Sequence, residues 1–142
     1  MTSALHIRRY QPTDADPVVE LWQRCELVVP WNDPHEDIAR KSSVQPELFL
    51  VGTVAGLPVA TVMAGFDGHR GWLNYLAVSP DHRGRSFGRR IVQAAEERLA
   101  ALGCPKINLQ IRASNHAVVD FYRRLGYGVD EVVSMGKRMP TP

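Results

Sequence analysis

Four arginines fall within eight residues, at Arg83, Arg85, Arg89 and Arg90, and the same stretch carries Gly84, Ser86, Phe87 and Gly88. Guanidinium groups, together with backbone N–H groups that glycine leaves uncovered, serve one chemistry: binding an anion with several oxygens. At a helix start, where N–H groups lack partners and the peptide dipole is positive, such a run suits a diphosphate better than a carboxylate. The same residues could instead form a tight turn leading into a solvated basic face. Other groups that could move a proton are scattered, for Asp33, Asp67, His69 and Glu131 each fit a turn or the surface. His69 has the ordinary pKa best suited to a base near neutrality. Cys25 and Cys104 lie far apart without metal-like spacing, so no metal is expected. Free thiols in a reducing cytoplasm suit them better than a disulfide.

The elements that must position the arginine run follow from periodicity. Residues 72–78 are apolar and aromatic, as a buried strand tends to be, and Ser79-Pro80-Asp81 ends them. Ile91, Val92, Ala95, Leu99 and Leu102 recur near helical spacing, and Gly103 with Pro105 stops that helix. Upstream, residues 5–10 form a short strand. Thr13 and Asp14 can cap a helix in which Val18, Leu21, Trp22 and Cys25 share one face, as core packing requires. Asp33, Pro34 and Glu36 have the form of a second helix start, predicting a helix over 34–42. Trp31-Asn32-Asp33 just before it either anchors the loop or walls an acceptor pocket.

Residues 48–54 and 59–66 read as a hairpin turned by 55–58, and 67–71 turn into the next strand. Residues 106–112 alternate polar and apolar and, reached through a helix, suit parallel pairing with the 72–78 strand by a right-handed crossover. Residues 115–125 form a further helix that Gly126 stops. Residues 129–139 are strand-prone and are expected to close the sheet. The predicted fold is therefore α/β: a mixed, mostly antiparallel sheet with a central parallel pair and helices on both faces. At 142 residues, with 44% hydrophobic and 23% charged content, the chain is expected to be one globular domain over residues 1–142. A net charge of +2 does not by itself imply a nucleic-acid partner, no apolar run spans a membrane, and the N-terminus lacks the apolar region of an export signal.

At the arginine run the sequence resembles the GNAT superfamily, the Gcn5-related N-acetyltransferases. Their signature Arg/Gln-x-x-Gly-x-Gly/Ala loop binds the pyrophosphate of coenzyme A. Arg83 and Gly88 match its outer positions, and Ser86 stands where the middle glycine is usual. Ser86 can supply the same backbone N–H provided its φ need not be positive. A second resemblance runs from Asn115 through Tyr122 to Gly126 and Tyr127, similar to the family's Asn-x-x-Ala-x-x-x-Tyr-x-x-x-Gly-Phe, with Val118 for the Ala and Tyr127 for the Phe. The motifs stand in family order across nearly the whole chain, and WNDP, DGHRG, LAVSP and LGY look like the small bacterial YpeA-like branch.

The resemblance implies transfer of an acetyl group from acetyl-CoA to a primary amine in the cytoplasm, by a monomer or homodimer that needs no metal, nucleic acid or membrane. It implies that Leu76, Ala77 and Val78 offer backbone groups to the thioester and pantetheine at a bulge that splays the parallel strands. Arg83, Gly84, Arg85, Ser86, Phe87, Gly88 and Arg89 would hold the pyrophosphate, Asn115 the pantetheine arm, and Tyr122 would face the sulfur as general acid. From the residues alone, Tyr122 fits a core position and Asn115 a helix cap. Trp31, Asn32, Asp33 and Asn74 would touch the acceptor. The strand before the loop lacks the glutamate that many of these enzymes use as base, which leaves a water relayed through Asn74 beside the side chains named above. A non-catalytic acyl-CoA-binding module and an arginine-based nucleic-acid binder are the other two classes. The second of these lacks a further basic stripe and an aromatic platform.

Overall fold

Period-two runs of β-branched and apolar residues build a five-stranded sheet from β1 (His6–Arg9), β2 (Phe49–Val54), β3 (Leu57–Phe66), β4 (Gly71–Val78) and β5 (Ile107–Leu109), in that spatial order. The helices are α1 (Ala15–Arg24), α2 (Pro34–Lys41), α3 (Phe87–Ala101) and α4 (His116–Arg124). The structure, a computed structural model, describes residues 4–140, and the chain forms two units that meet in sequence between Gln110 and Ile111. The sheet and α1 to α3 belong to the first unit, and α4 to the second.

Strands β1 to β4 pair antiparallel, and β4 pairs parallel with β5 after the α3 crossover, giving the mixed α/β architecture expected. The β2–β3 hairpin turns on Ala55 and Gly56, both left-handed with φ 52° and 81°, a backbone twist that matches the flanking strands. The parallel pair lies at the edge of the sheet among the described strands, not at its centre. The reason is that residues 129–139, expected to close the sheet, form no strand. Gly136 and the charged pairs Asp130-Glu131 and Lys137-Arg138 break their alternation, and Val129, Val132, Val133, Met135 and Met139 are exposed. β5 is also shorter than the 106–112 run, pairing only through Ile107, Asn108 and Leu109. Gly71, opposite Ile107, permits that close approach, since a Cβ there would lie 2.7 Å from Cys104 Sγ.

Each face of the sheet buries its own helices. Phe49, Val51, Thr61, Met63, Tyr75 and Ala77 face α1 and α2, where Val18, Val19, Leu21, Trp22 and Ile38 complete a cluster. Leu50, Val62, Ala64 and Leu73 lie between them and face α3, whose Ile91, Val92, Ala95 and Leu99 are buried. Leu102, expected on that stripe, is half exposed because the helix has ended at Ala101. Asp14 occupies the cap position of α1 but makes no cap bond. Its carboxylate instead takes two hydrogen bonds from Arg8 of β1, at 2.7 and 2.9 Å, and one from the Gln11 N–H at 2.8 Å. Burial opposes its ionisation, yet the Arg8 side chain, the Gln11 N–H and the Arg8 charge hold its carboxyl below the ordinary range.

Candidate functional site

The site is built where β4 stops being regular. Opposite β3, Ala64 pairs with Leu73 and Met63 with Asn74, but Thr61 pairs with Ala77, so β4 carries one residue more than β3. That is a β-bulge at Tyr75 and Leu76, and Tyr75 takes the left-handed φ of 51° to make it. Two consecutive side chains, Asn74 and Tyr75, then share the α1 and α2 face. β5 has ended opposite Leu73, so β4 runs from Asn74 to Val78 with no strand paired on that side among the described residues. Leu76 and Val78 are half-buried, Ala77 is buried, and Asn74 is exposed. The strand part expected to meet the thioester is thus a bulged, one-sided strand end.

Buried groups lock the bulge. Thr61 Oγ donates to the Tyr75 carbonyl at 2.8 Å and accepts from Trp22 Nε1 at 2.9 Å, with Thr61 and Trp22 fully buried. The Trp22 ring also stacks on Tyr75, centroids 3.8 Å apart and planes within 11°. The Tyr75 hydroxyl donates to Asp37 of α2 and accepts from Asn32 Nδ2 at 2.9 Å, while Asn32 also donates to Asp37. Arg40 pairs with the other Asp37 oxygen. Burial, followed by the Asp37 hydrogen bond and charge, pushes the Tyr75 phenol well above its ordinary pKa. Asn32, a predicted acceptor contact, is therefore tied to the bulge through a tyrosine and an aspartate that sequence reasoning did not single out. The signal for Tyr75 was hidden because an aromatic in a strand reads first as packing. Thr61, a β-branched residue in an apolar strand, was hidden in the same way.

Trp31 is 58% exposed in the loop before α2. Asp33 caps α2, accepting from the His35 N–H at 2.9 Å and the Glu36 N–H at 3.4 Å. Of the groups considered as a base, Asp67 accepts the His69 and Arg70 N–H groups of its own turn, and His69 is exposed.

Beyond β4, Ser79 turns the chain through a short 3-10 segment, Pro80–His82, into the arginine run, and α3 starts at Phe87. Gly84 has φ 79° with open space around it. Ser86 sits at the cap position with φ 63° and ψ 19°. Its dihedral is thus the positive one a glycine would take, against the condition set above, because the turn from Gly84 into α3 needs a left-handed residue. Its side chain makes no cap bond, which leaves the first N–H groups of α3 without that partner. Phe87 is buried with Leu5 and Val59, anchoring the helix start. Arg83, Arg85 and Arg89 are exposed and form no salt bridge among the described residues. The Nδ1 atom of His82 is buried without a hydrogen-bond partner there. An uncapped helix start, three exposed guanidinium groups without a carboxylate partner among the described residues, and an orphaned ring nitrogen fit a polyphosphate. The last turn of α1 braces this loop: Arg24 bridges to Asp81 at 2.9 Å, and Cys25 Sγ donates to the Val78 carbonyl at 3.4 Å.

In the second unit, Asn115 caps α4, its side chain accepting from the Val118 N–H at 3.4 Å. Tyr122 is buried, packed edge-on against Phe121 and Tyr127. Gly126, with φ 97°, follows the helix end.

The Acetyltransferase (GNAT) family matches this chain over residues 15–127. An acetyltransferase of Yersinia enterocolitica is 46% identical over 135 residues, covering 95% of this chain and 96% of its own. Among solved structures, the ribosomal-protein-S18-alanine N-acetyltransferase of Escherichia coli is similar with a TM-score of 0.73 and 25% identity, over 87% of this chain and 77% of that one. An aminoglycoside N-acetyltransferase in complex with CoA shares the fold, with a TM-score of 0.78 and 16% identity over 97% of both chains.

Proposed function

The chain belongs to the GNAT acetyltransferase family and is an acetyl-CoA-dependent acyltransferase, and we propose that it transfers the acetyl group to a primary amine: a small amine, an amino acid or a peptide N-terminus. The observation that carries the cofactor half is the uncapped start of α3 behind three exposed arginines, at the end of a bulged strand whose β5 pairing stops at Leu73. The amine half is supported by the acceptors named for two structural neighbours, an alanine of a ribosomal protein and an aminoglycoside. Acetyl-CoA, when bound, supplies an acetyl group activated as a thioester. Arg83, Arg85, Arg89 and the N–H groups from Ser86 to Arg89 would hold its pyrophosphate. Backbone groups of Leu76, Ala77 and Val78 would orient the thioester and polarise its carbonyl. Asn115 would hold the pantetheine arm, and the Tyr122 hydroxyl would hold the proton that the departing sulfur needs. Asn32, Asn74 and Trp31 would border the acceptor, with Asp33 fixing that edge by capping α2.

In this reading residues 1–142 work as one N-acetyltransferase domain, since the family match crosses the boundary between the two units. A cytoplasmic setting is supported by the two free thiols, Cys25 and Cys104. Calorimetric titration with acetyl-CoA, followed by a free-thiol assay over a panel of amines and peptides, tests the proposal. Binding with amine-dependent thiol release is the expected result. Absence of binding would remove the arginine loop as a pyrophosphate site.

A further inference from the structure

We propose that Thr61 and Trp22 are positioning residues for the acetyl thioester, setting the carbonyl-binding geometry of β4 from beneath the sheet without touching the cosubstrate. The inference rests on the reading that Leu76 to Val78 address the thioester. A bulge offers ligand-binding groups only if its extra residue is held in one conformation, and Tyr75 is held in the sparsely populated left-handed region for a non-glycine residue. Three contacts oppose its relaxation. The Thr61 hydroxyl fixes the Tyr75 carbonyl at 2.8 Å, Trp22 Nε1 fixes that hydroxyl at 2.9 Å, and the Trp22 ring lies flat on the Tyr75 ring. A hydroxyl has one proton to give, and the Trp22 N–H can only donate, so the chain of bonds has one direction: indole to hydroxyl to carbonyl. Both side chains are fully buried, so no water replaces either link.

Replacing the hydroxyl with a methyl frees the Tyr75 carbonyl and the indole together. The strand then loses the restraint that keeps it one residue longer than β3. The pyrophosphate loop begins only after Ser79, which is pinned separately by its N–H to the Val59 carbonyl at 2.7 Å. Thioester geometry and pyrophosphate binding therefore separate in this variant, which a general loss of stability would not achieve.

The test uses acetyl-CoA carrying carbon-13 at the acetyl carbonyl, with the bound chemical shift as the signal, beside the affinity for coenzyme A by calorimetry. The unsubstituted protein is expected to move the carbonyl resonance downfield on binding, as hydrogen bonding to strand N–H groups requires. Thr61→Val is expected to abolish that displacement while holding coenzyme A within about twofold of its original affinity. Thr61→Ser, which keeps the hydroxyl, should restore it, and Trp22→Phe, which keeps a ring but removes the donor, should reduce it. Full displacement in Thr61→Val, or its loss in Thr61→Ser, overturns the proposal. If Thr61→Val does not fold, Trp22→Phe decides, and an unreduced displacement there overturns it. Failure of the unsubstituted protein to bind either compound overturns the cofactor reading as well. Coenzyme A binding without any carbonyl displacement overturns this inference alone.

Discussion

At the scale of single residues, the loop holds a conformation its chemistry does not favour. Ser86 occupies left-handed space that costs an ordinary residue about 1–2 kcal/mol. Glycine removes that strain but widens the unfolded ensemble, returning roughly 0.4–1 kcal/mol of it. Ser86→Gly is thus expected to stabilise the protein by a few tenths to about 1 kcal/mol and to keep or improve acetyl-CoA affinity. Urea unfolding and calorimetry check both; a destabilised Ser86→Gly protein would mean the serine side chain holds something the φ angle does not reveal. Tyr122 belongs to the same scale. Its ring is packed against Phe121 and Tyr127, so removing only the oxygen leaves that packing in place. Tyr122→Phe is expected to slow turnover by about 10²-fold or more, the range of general acid catalysis, with acetyl-CoA affinity little changed. Unchanged turnover would leave Tyr122 a core residue and no more.

At the scale of elements, the Arg8–Asp14 pair joins β1 to the entry of α1. Because the Asp14 carboxyl is held below its ordinary pKa, its contribution is present above the unfolded value of about 3.9. It is lost as pH falls through that value and then through the lowered one. Asp14→Asn is expected to cost about 2 kcal/mol at neutral pH, through the weakened bonds to Arg8 and Gln11, and to flatten the acid limb of the stability curve. Urea midpoints taken from pH 7 downwards check this, and parallel acid limbs in the two proteins would refute it. The elements were also the most legible level of the sequence. Capping of α2 by Asp33, the hairpin turn at Ala55-Gly56, and the stops at Gly103 and Gly126 are local chemistry, readable without a partner. Asp14 was misread as a cap because its true partner, Arg8, lies on another element. The bulge in β4 was legible only through the family resemblance and not from the strand's own residues, because the groups that hold it, Thr61 and Trp22, are distant in sequence. Residues 129–139 were given a strand by composition alone, without a named partner, and none forms.

At the scale of the whole molecule, two units share one family match. All three tryptophans, Trp22, Trp31 and Trp72, lie in the first unit, while the proposed acid Tyr122 and arm-binding Asn115 lie in the second. Acetyl-CoA at a hundred times its dissociation constant should stabilise the folded protein by about 2.7 kcal/mol. If both units contribute to one site, hydrogen exchange should then slow in peptides from 111–125 as well as from 76–90. Protection confined to the first unit would break the proposal that residues 1–142 act as one domain. The bulge has a last consequence at this scale, for how the chain can change. Leu73 and Ala77 are four residues apart yet lie on opposite faces, because the extra residue shifts the strand's parity as an inserted letter shifts a reading frame. Substitutions in β4 act one position at a time. A single-residue deletion between Asn74 and Leu76 would instead erase the bulge: Ala77 would still meet Thr61 on the α1 face, but along a regular strand with no extra residue to offer. Length, more than spelling, is what this strand must conserve.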